Sequence, residues 1–138
     1  MTIVIDTSLA LSWMFADEQT PLRMELLKRV SETGAVVPSL WRLEVANSLQ
    51  TGIKRKRIDA AYRDAALQKL LRLPIDIDPE TNDYAWTTTL QLADAYRLTL
   101  YDSSYLELAL RRGLPLAPRD EDLAAAAASA GAILLPTH

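Results

Sequence analysis

The sequence predicts an α/β fold in one domain, with a central, mostly parallel sheet of about five strands flanked by helices. Three observations predict this fold. Short apolar runs alternate with helical patterns along the chain, which is the order of a parallel sheet covered on both faces. The length of 138 residues suits one hydrophobic core. No repeat and no linker divides the chain, so the predicted domain covers residues 1–138.

Each predicted strand is short and apolar. The runs Ile3-Val4-Ile5 and Ala35-Val36-Val37 have no alternating polar residue, which indicates strands that are buried on both faces. The predicted strands are residues 2–5, 35–37, 74–77, 114–117 and 133–135.

Helical patterns fill the segments between these strands. Pro21 suits the first turn of a helix, Asp59 suits an N-cap, and Gly113 is expected to end a helix. The predicted helices are residues 8–15, 21–30, 39–55, 59–73, 80–97, 103–112 and 121–130. In the third of them, the expected core residues are Leu40, Leu43, Val45, Leu49 and Ile53.

The composition excludes several kinds of site. The chain has no cysteine, and therefore no disulfide and no thiolate metal site. Its one histidine is His138, the last residue, which argues against a histidine-based catalytic triad or general base. The net charge of -3 is not that of a basic nucleic-acid binder, although acidic and basic groups can gather on separate faces. Without a charged leader, an apolar signal segment or a run long enough to span a bilayer, the expected location is cytoplasmic, with no membrane partner.

Three aspartates follow apolar segments at points where a helix is predicted to begin. They are Asp6, Asp102 and Asp120, and each alone is best explained as a helix N-cap. Parallel strands, however, end at one edge of a sheet, where ligands bind in such folds, so neighbouring segments would bring the three carboxylates together. Converging carboxylates either hold protons or bind a cation, and oxygen ligands suit Mg²⁺ or Mn²⁺.

A fourth acid lies in the helical segment PSLWRLEVANSL. Glu44 interrupts an apolar face between Leu43 and Val45, and Asn47 follows three residues later on the same side. By spacing alone, a solvent-facing glutamate explains this pattern best. Glu44 enters the candidate site only through the resemblance that follows.

Four blocks of the sequence together resemble the PIN-domain ribonucleases. In chain order they are IVIDTSLALSW, PSLWRLEVANSL, LTLYDSSYLELAL and LAPRDEDL. The chain is most similar in this respect to the VapC toxins of bacterial VapBC toxin–antitoxin pairs. The resemblance covers essentially the whole chain, and the combination of blocks is specific although each block alone is weak.

The resemblance implies a PIN-like parallel sheet with an acidic pocket that binds Mg²⁺ or Mn²⁺. By position in the family's motifs, the metal ligands and catalytic acids would be Asp6, Glu44, Asp102 and Asp120. Asp6, Asp102 and Asp120 would hold the metal, and Glu44 would complete the cluster through a second metal or by orienting water. The implied reaction is hydrolysis of RNA phosphodiesters by a metal-activated water, leaving a 5′-phosphate and a 3′-hydroxyl.

Two features near the last acid depart from a simple match. The family usually has threonine two residues before this aspartate, and the chain has Pro118 there, which removes a hydroxyl that can support a metal ligand. Asp122 lies close to Asp120 in sequence, but Asp120 directly follows the predicted strand and matches the motif.

The resemblance also implies partners, namely a VapB-type antitoxin, an RNA substrate and a second copy in a homodimer. Two basic runs, residues 54–57 and 111–112, are candidates for an RNA-binding rim, although such runs often only face solvent. The bulky run Trp13-Met14-Phe15 makes the first helix a candidate for the antitoxin groove, unless all three side chains pack in the core.

Other classes of protein fit less well. A phosphotransfer receiver domain needs an acidic pair after its first strand and a late lysine, and no lysine follows Lys69. A dehalogenase-type phosphatase needs aspartate at the position of Ser8. A PIN-fold RNA-processing nuclease that is not a toxin, or a non-catalytic module that binds RNA or protein, remains open. Modules of the latter kind usually lack one or more acids.

Overall fold

A parallel sheet of four strands forms the centre of the molecule, which confirms the predicted α/β class. The computed structural model describes all residues, 1–138. The strand order is β3-β2-β1-β4, and every neighbouring pair is parallel. The strands are β1 (Ile3–Ile5), β2 (Ala35–Val37), β3 (Ile75–Ile77) and β4 (Leu116–Ala117).

Seven α-helices connect and flank these strands. They are α1 (Thr7–Ser12), α2 (Pro21–Thr33), α3 (Trp41–Lys54), α4 (Ala60–Leu71), α5 (Thr88–Tyr96), α6 (Leu100–Arg112) and α7 (Glu121–Ala130). The predicted helix ends are confirmed where local chemistry sets them. The carboxylate of Asp59 accepts a hydrogen bond from the backbone N–H of Tyr62, and Gly113 ends α6 in the left-handed conformation.

The predicted fifth strand forms only one bridge. Leu116 pairs with Leu134 in parallel. The N–H of Leu116 donates to the carbonyl of Ile133, and the carbonyl of Leu116 accepts the N–H of Leu135. In a parallel ladder the next residue of β4 to pair would be Pro118, which has no N–H to donate. The ladder therefore stops after a single pair.

The long helix predicted over residues 80–97 is wrong as one element. The structure has a 3₁₀ helix at Thr81–Tyr84, a turn, and then α5. The turn ends at Thr87 and α5 begins at Thr88, inside the run Thr87-Thr88-Thr89, in which successive β-branched side chains lower helix propensity. At the other end, the hydroxyl of Thr81 binds the carboxylate of Asp78, which holds the 3₁₀ helix to the end of β3.

Asp102 was predicted to stand just before a helix at residues 103–112, and this helix in fact starts three residues earlier. α6 begins at Leu100, and Thr99 caps it by accepting a hydrogen bond from the N–H of Asp102. Asp102 therefore lies in the first turn of a helix. Threonine takes the capping role because its hydroxyl stands three residues before the N–H of Asp102.

The core surrounds the sheet, and β1, β2 and β4 are wholly buried. The run Trp13-Met14-Phe15 lies beyond the end of α1 and is buried, so these side chains pack in the monomer core. Trp41 is also buried, whereas Trp86 is 87% exposed. Leu43 was expected in the core and is 77% exposed, because it falls outside the face that α3 buries with Val45 and Leu49. No helix has the length and apolar character that crossing a bilayer requires.

Candidate functional site

One pocket brings together the four acids that the sequence singled out. It lies where β1 and β4, which are neighbours in the sheet, reach their carboxyl ends, and its volume is about 300 Å³. Its acidic lining is Asp6, Glu44, Asp102 and Asp120, and its other polar lining is Thr7, Ser8, Asn47, Ser48 and Tyr105. The acids come from four separate elements of the fold, so only the tertiary structure makes them neighbours.

Asp6 is the most buried acid of the pocket. It caps α1 by accepting a hydrogen bond from the N–H of Leu9 at 2.8 Å. Its second oxygen accepts the N–H groups of Arg119 and Asp120 at 2.9 and 3.0 Å, which ties the end of β4 to the end of β1. Burial raises the pKa of Asp6 to about 6, although these three hydrogen bonds act in the opposite direction. The charge of Asp120 also raises this pKa.

Asp120 and Asp102 face the same pocket from two helix N-termini. Asp120 caps α7 by accepting the N–H of Leu123 at 2.9 Å. Burial raises the pKa of Asp102, and the charges of Asp120 and Glu44 raise it further. Repulsion between these carboxylates is relieved by a proton or by a bound cation.

Glu44 is held in the pocket by two hydroxyl groups. Its Oε1 accepts the hydroxyl hydrogen of Tyr105 at 2.5 Å and lies 3.1 Å from the donating hydroxyl of Thr7. The pKa of the Tyr105 phenol is raised far above its usual range, first by burial and then by the charge of Glu44. Tyr105 therefore stays protonated and acts as a donor.

Two polar pocket residues, one on α6 and one on α3, were missed by sequence reasoning. Tyr105 lies three residues after Asp102 on α6, and Ser48 lies four residues after Glu44 on α3. Both spacings place the side chains on the same helical face as the acid. That periodicity was the signal that could have found them. Asn47, which was predicted to share the side of Glu44, also lines the pocket.

The structure separates the two late aspartates. Asp120 lines the acidic pocket, whereas Asp122 lines a different depression with Tyr96 and Arg97. Asp122 contributes to the pocket only at a distance, as one of the charges that raise the pKa of Asp102.

The predicted basic rim is reduced by internal ion pairs. Arg111 and Arg112 both bind the fully buried carboxylate of Asp78, at 2.6 and 2.7 Å, and so are not free for RNA. Arg57 pairs with Asp17 and Glu18. Arg55 is exposed and makes no side-chain hydrogen bond or ion pair.

The donor set of the pocket fits a hard divalent cation, since it consists of carboxylate and hydroxyl oxygens. The raised pKa values of Asp6 and Asp102 arise partly from neighbouring carboxylates, whose repulsion a cation would relieve. In the conformations described, no three acidic side chains stand close enough around one point to hold an ion. Asp6, Asp120 and Glu44 instead point at hydrogen-bond donors of the protein.

Comparison with known proteins gives both a family match and a structural match. The sequence model of the family described as PIN domain matches residues 3–129. Eight chains of known structure match, among them the crystal structure of PAE2754 from Pyrobaculum aerophilum. That match has a TM-score of 0.70 and 24% sequence identity, and it covers 97% of this chain and 90% of the other. At this identity the likeness concerns the fold alone. No curated protein matches the chain.

Proposed function

The chain belongs to the PIN domain family, which generally consists of nucleases that need a divalent metal ion, and from that premise we propose a ribonuclease dependent on Mg²⁺ or Mn²⁺. The observation that carries the proposal is the single pocket lined by Asp6, Glu44, Asp102 and Asp120. All four acids of the family pattern are retained, which favours an enzyme over a non-catalytic module of the same fold.

In this proposal Asp6, Asp102 and Asp120 hold the cation, and Glu44 completes the anionic cluster. A divalent cation bound there supplies activation of water for attack on a phosphodiester and neutralisation of charge on the phosphoryl oxygens. The backbone N–H groups of Arg119 and Asp120 fix the position of the Asp6 carboxylate. Tyr105 keeps its proton and holds Glu44 against the wall of the pocket.

The remaining polar lining suits contacts with the substrate. Ser8, Asn47 and Ser48 face the pocket and provide neutral donors and acceptors for phosphate or ribose oxygens. Donors of this kind fix the register of a nucleic acid without reading its sequence. The RNA that is cleaved would then be selected by its shape around the pocket.

The nuclease is tested by RNA cleavage with Mg²⁺ or Mn²⁺ and with EDTA. Asp102→Asn is the most informative variant, because Asp102, unlike Asp6, does not bind three backbone N–H groups of the fold. The matched control is Asp76→Asn, at an exposed aspartate of β3 outside the pocket. We expect cleavage to require the metal, to be lost in Asp102→Asn and to persist in Asp76→Asn. Full activity in EDTA would refute the metal requirement.

We further propose that the chain is the toxin of a toxin–antitoxin pair that acts in the cytoplasm. The support is the resemblance of its four sequence blocks to VapC proteins. Exposed apolar side chains that adjoin the acids in sequence, Leu43 before Glu44 and Tyr101 before Asp102, suit a protein interface with an antitoxin or a second copy of the chain. An antitoxin arginine that pairs with the carboxylates would compete with metal and RNA phosphate.

The toxin proposal is tested by expression with and without the adjacent small gene. Growth should stop when the wild-type chain is expressed alone. It should continue when the Asp102→Asn variant is expressed, and when the wild type is expressed together with a partner that co-purifies with it. An active nuclease that is expressed alone at no growth cost would support the alternative, a PIN-fold RNA-processing enzyme without a toxin role.

A further inference from the structure

A second groove continues from the acidic pocket. It has a volume of about 260 Å³ and runs between α1 and α3. It shares three lining residues with the acidic pocket, namely Ser8, Leu11 and Ser48. The two cavities therefore form one continuous path along the surface.

One face of α3 lines this whole path with polar side chains. Glu44 and Ser48 line the acidic pocket, and Ser48, Thr51 and Arg55 line the second groove. Their spacings of four, three and four residues are those of a single helical stripe. From Glu44 to Arg55 the stripe rises about 16 Å, at about 1.5 Å per residue.

The charge changes sign along the path. The acidic pocket is lined by four carboxylates. The second groove is lined by three arginines, Arg55, Arg57 and Arg119, against one acid, Glu18, which leaves a formal charge of +2 (three minus one). Glu18 already pairs with Arg57 and Arg119, so Arg55 is the arginine of the groove with no ion pair.

We propose that this second groove binds the sugar–phosphate backbone of single-stranded RNA, with Arg55 as a substrate-binding residue for a phosphate remote from the cleaved bond. The inference rests on the proposed nuclease function and adds a binding track to it. A span of about 16 Å equals about five nucleotides of stacked strand at roughly 3.4 Å each. A phosphate at Arg55 would thus lie a few nucleotides from the acids.

The chemistry of the groove favours an RNA strand over a protein segment. Hydroxyl groups of Ser8 and Ser48 line it, and phosphate and ribose oxygens are the partners that such donors and a free guanidinium select. The hydroxyl of Thr51 donates to the carbonyl of Asn47 at 3.1 Å and can only accept a hydrogen bond from a ribose hydroxyl. Its hydrophobic lining consists of two residues, Leu11 and Phe15, and the guanidinium of Arg57 lies over the Phe15 ring at 4.1 Å. The groove therefore lacks the apolar anchor pockets that protein segments use.

The chain offers a matched control for Arg55. Arg55 is the C-cap residue of α3, and Arg72 is the C-cap residue of α4; both are exposed, and Arg72 lies outside the groove. The variants are Arg55→Gln, Arg55→Lys as the charge-conserving change, and Arg72→Gln. Arg55→Gln and Arg72→Gln alter net charge equally, so a difference between them reports position.

Kinetics on two substrate lengths test the proposal. For a single-stranded RNA of ten nucleotides, Arg55→Gln should raise KM about tenfold with kcat unchanged, as loss of one charged phosphate contact predicts. Arg55→Lys should restore most of this loss, and Arg72→Gln should behave as wild type. A dinucleotide is too short to reach Arg55, so its cleavage should be the same in all variants. A purely structural defect would alter both substrates.

Equal KM values for Arg55→Gln and Arg72→Gln would overturn the inference and leave the nuclease in place. If the wild-type chain cleaves no RNA, the nuclease proposal fails, and binding of labelled ten-nucleotide RNA in EDTA decides the groove separately. The inference is supported if Arg55→Gln binds the RNA about tenfold more weakly than Arg72→Gln does. The slope of log affinity against log salt concentration should also be smaller in magnitude by about 0.7 for Arg55→Gln. Equal RNA affinities of the two variants would refute the inference. It would also be refuted if Arg55→Gln lost binding to a protein partner while its RNA affinity stayed unchanged.

Discussion

Tyr105 of α6 donates its phenol hydrogen to Oε1 of Glu44 on α3, and this contact joins the two helices across the acidic pocket. The hydroxyl of Thr7, at the start of α1, lies 2.9 Å from the same phenol oxygen. Three helices thus meet at one carboxylate oxygen. Glu44 is only partly buried, and these two hydroxyl groups fix its carboxylate in the pocket.

Tyr105→Phe removes the phenol hydroxyl and keeps the ring in the core. We expect kcat for RNA cleavage to fall about tenfold, because Glu44 loses its donor on α6, while the free energy of unfolding falls by only about 1 kcal/mol. Cleavage assays and urea unfolding check both values. Tyr96→Phe is the control, since the hydroxyl of Tyr96 makes no hydrogen bond and should be dispensable. Unchanged kcat in Tyr105→Phe would show that Glu44 needs no such support.

The assignment of the fourth acid is tested by a pair of neighbouring variants. Asp120→Asn should reduce the cleavage rate by at least about a hundredfold, since loss of a metal ligand removes several kcal/mol of transition-state stabilisation. Asparagine is also a good N-cap, so the free energy of unfolding should change little. Asp122→Asn, in the other depression, should change the rate less than about threefold. The reverse order of rates would transfer the role to Asp122.

How far the site could be predicted differs between its acids. Asp6 and Asp120 were accessible from local pattern, because β1 and β4 are real neighbouring strands and both aspartates follow them. Asp102 was predicted from the same pattern, but for a reason that does not hold, because α6 begins at Leu100 and no strand precedes this aspartate. The position of Glu44 depends on Tyr105, 61 residues away in sequence, and no local pattern contains that contact.

The errors in the predicted fold have local causes. Alternating apolar runs and helical patterns were enough for the class of sheet and for most helices. The ladder at Leu116 stops because Pro118 has no N–H, and α5 begins within the threonine run, after a 3₁₀ helix that the local hydrogen bond between Thr81 and Asp78 holds to the end of β3. Both misses lie where single residues interrupt an element that the apolar pattern alone would continue.

The raised pKa of Asp6 predicts a pH dependence of stability in the metal-free protein. Because burial raises this pKa from 3.8 to about 6, the folded state binds the proton more tightly than the unfolded chain. The contribution of Asp6 is therefore fully present below about pH 4 and is lost as the pH rises through about 6, by up to about 3 kcal/mol. The raised pKa of Asp102 acts in the same direction.

Urea unfolding in EDTA between pH 4.5 and 7.5 measures this effect. The free energy of unfolding should fall across that range in the wild type and fall less in Asp6→Ala, which has no group to titrate. Asp78 does not disturb this measurement. Its pKa is lowered in the folded state, so its contribution to the free energy of unfolding changes only below about pH 4. Stability that rises from pH 4.5 to 7.5 would contradict a protonated, buried Asp6.

The Asp78 cluster predicts a large effect on stability away from the pocket. Burial alone would raise the pKa of Asp78, but hydrogen bonds from Arg111 and Thr81 outweigh it and lower the pKa. Asp78→Ala would leave two arginines without this partner, and we expect a loss of about 3 kcal/mol in the free energy of unfolding. Asp64→Ala breaks the exposed pair with Arg63 and should cost less than about 1 kcal/mol. Similar losses in the two variants would mean that the Asp78 cluster is not a stabilising network.

Pro118→Thr tests the departure from the family pattern at the end of β4. Pro118 is buried, its carbonyl accepts the hydroxyl hydrogen of Thr137 at 2.8 Å, and it directly precedes the N–H of Arg119 that binds Asp6. A threonine there restores a hydroxyl next to Asp6 and Asp120, which should tighten metal binding by about tenfold, the scale of changes in groups that support a metal ligand. Calorimetric titration with Mn²⁺ measures the affinity, and Pro136→Thr, outside the pocket, is the control. Weaker binding by Pro118→Thr would instead assign Pro118 a role of its own, in which its fixed φ holds the two N–H groups that orient Asp6.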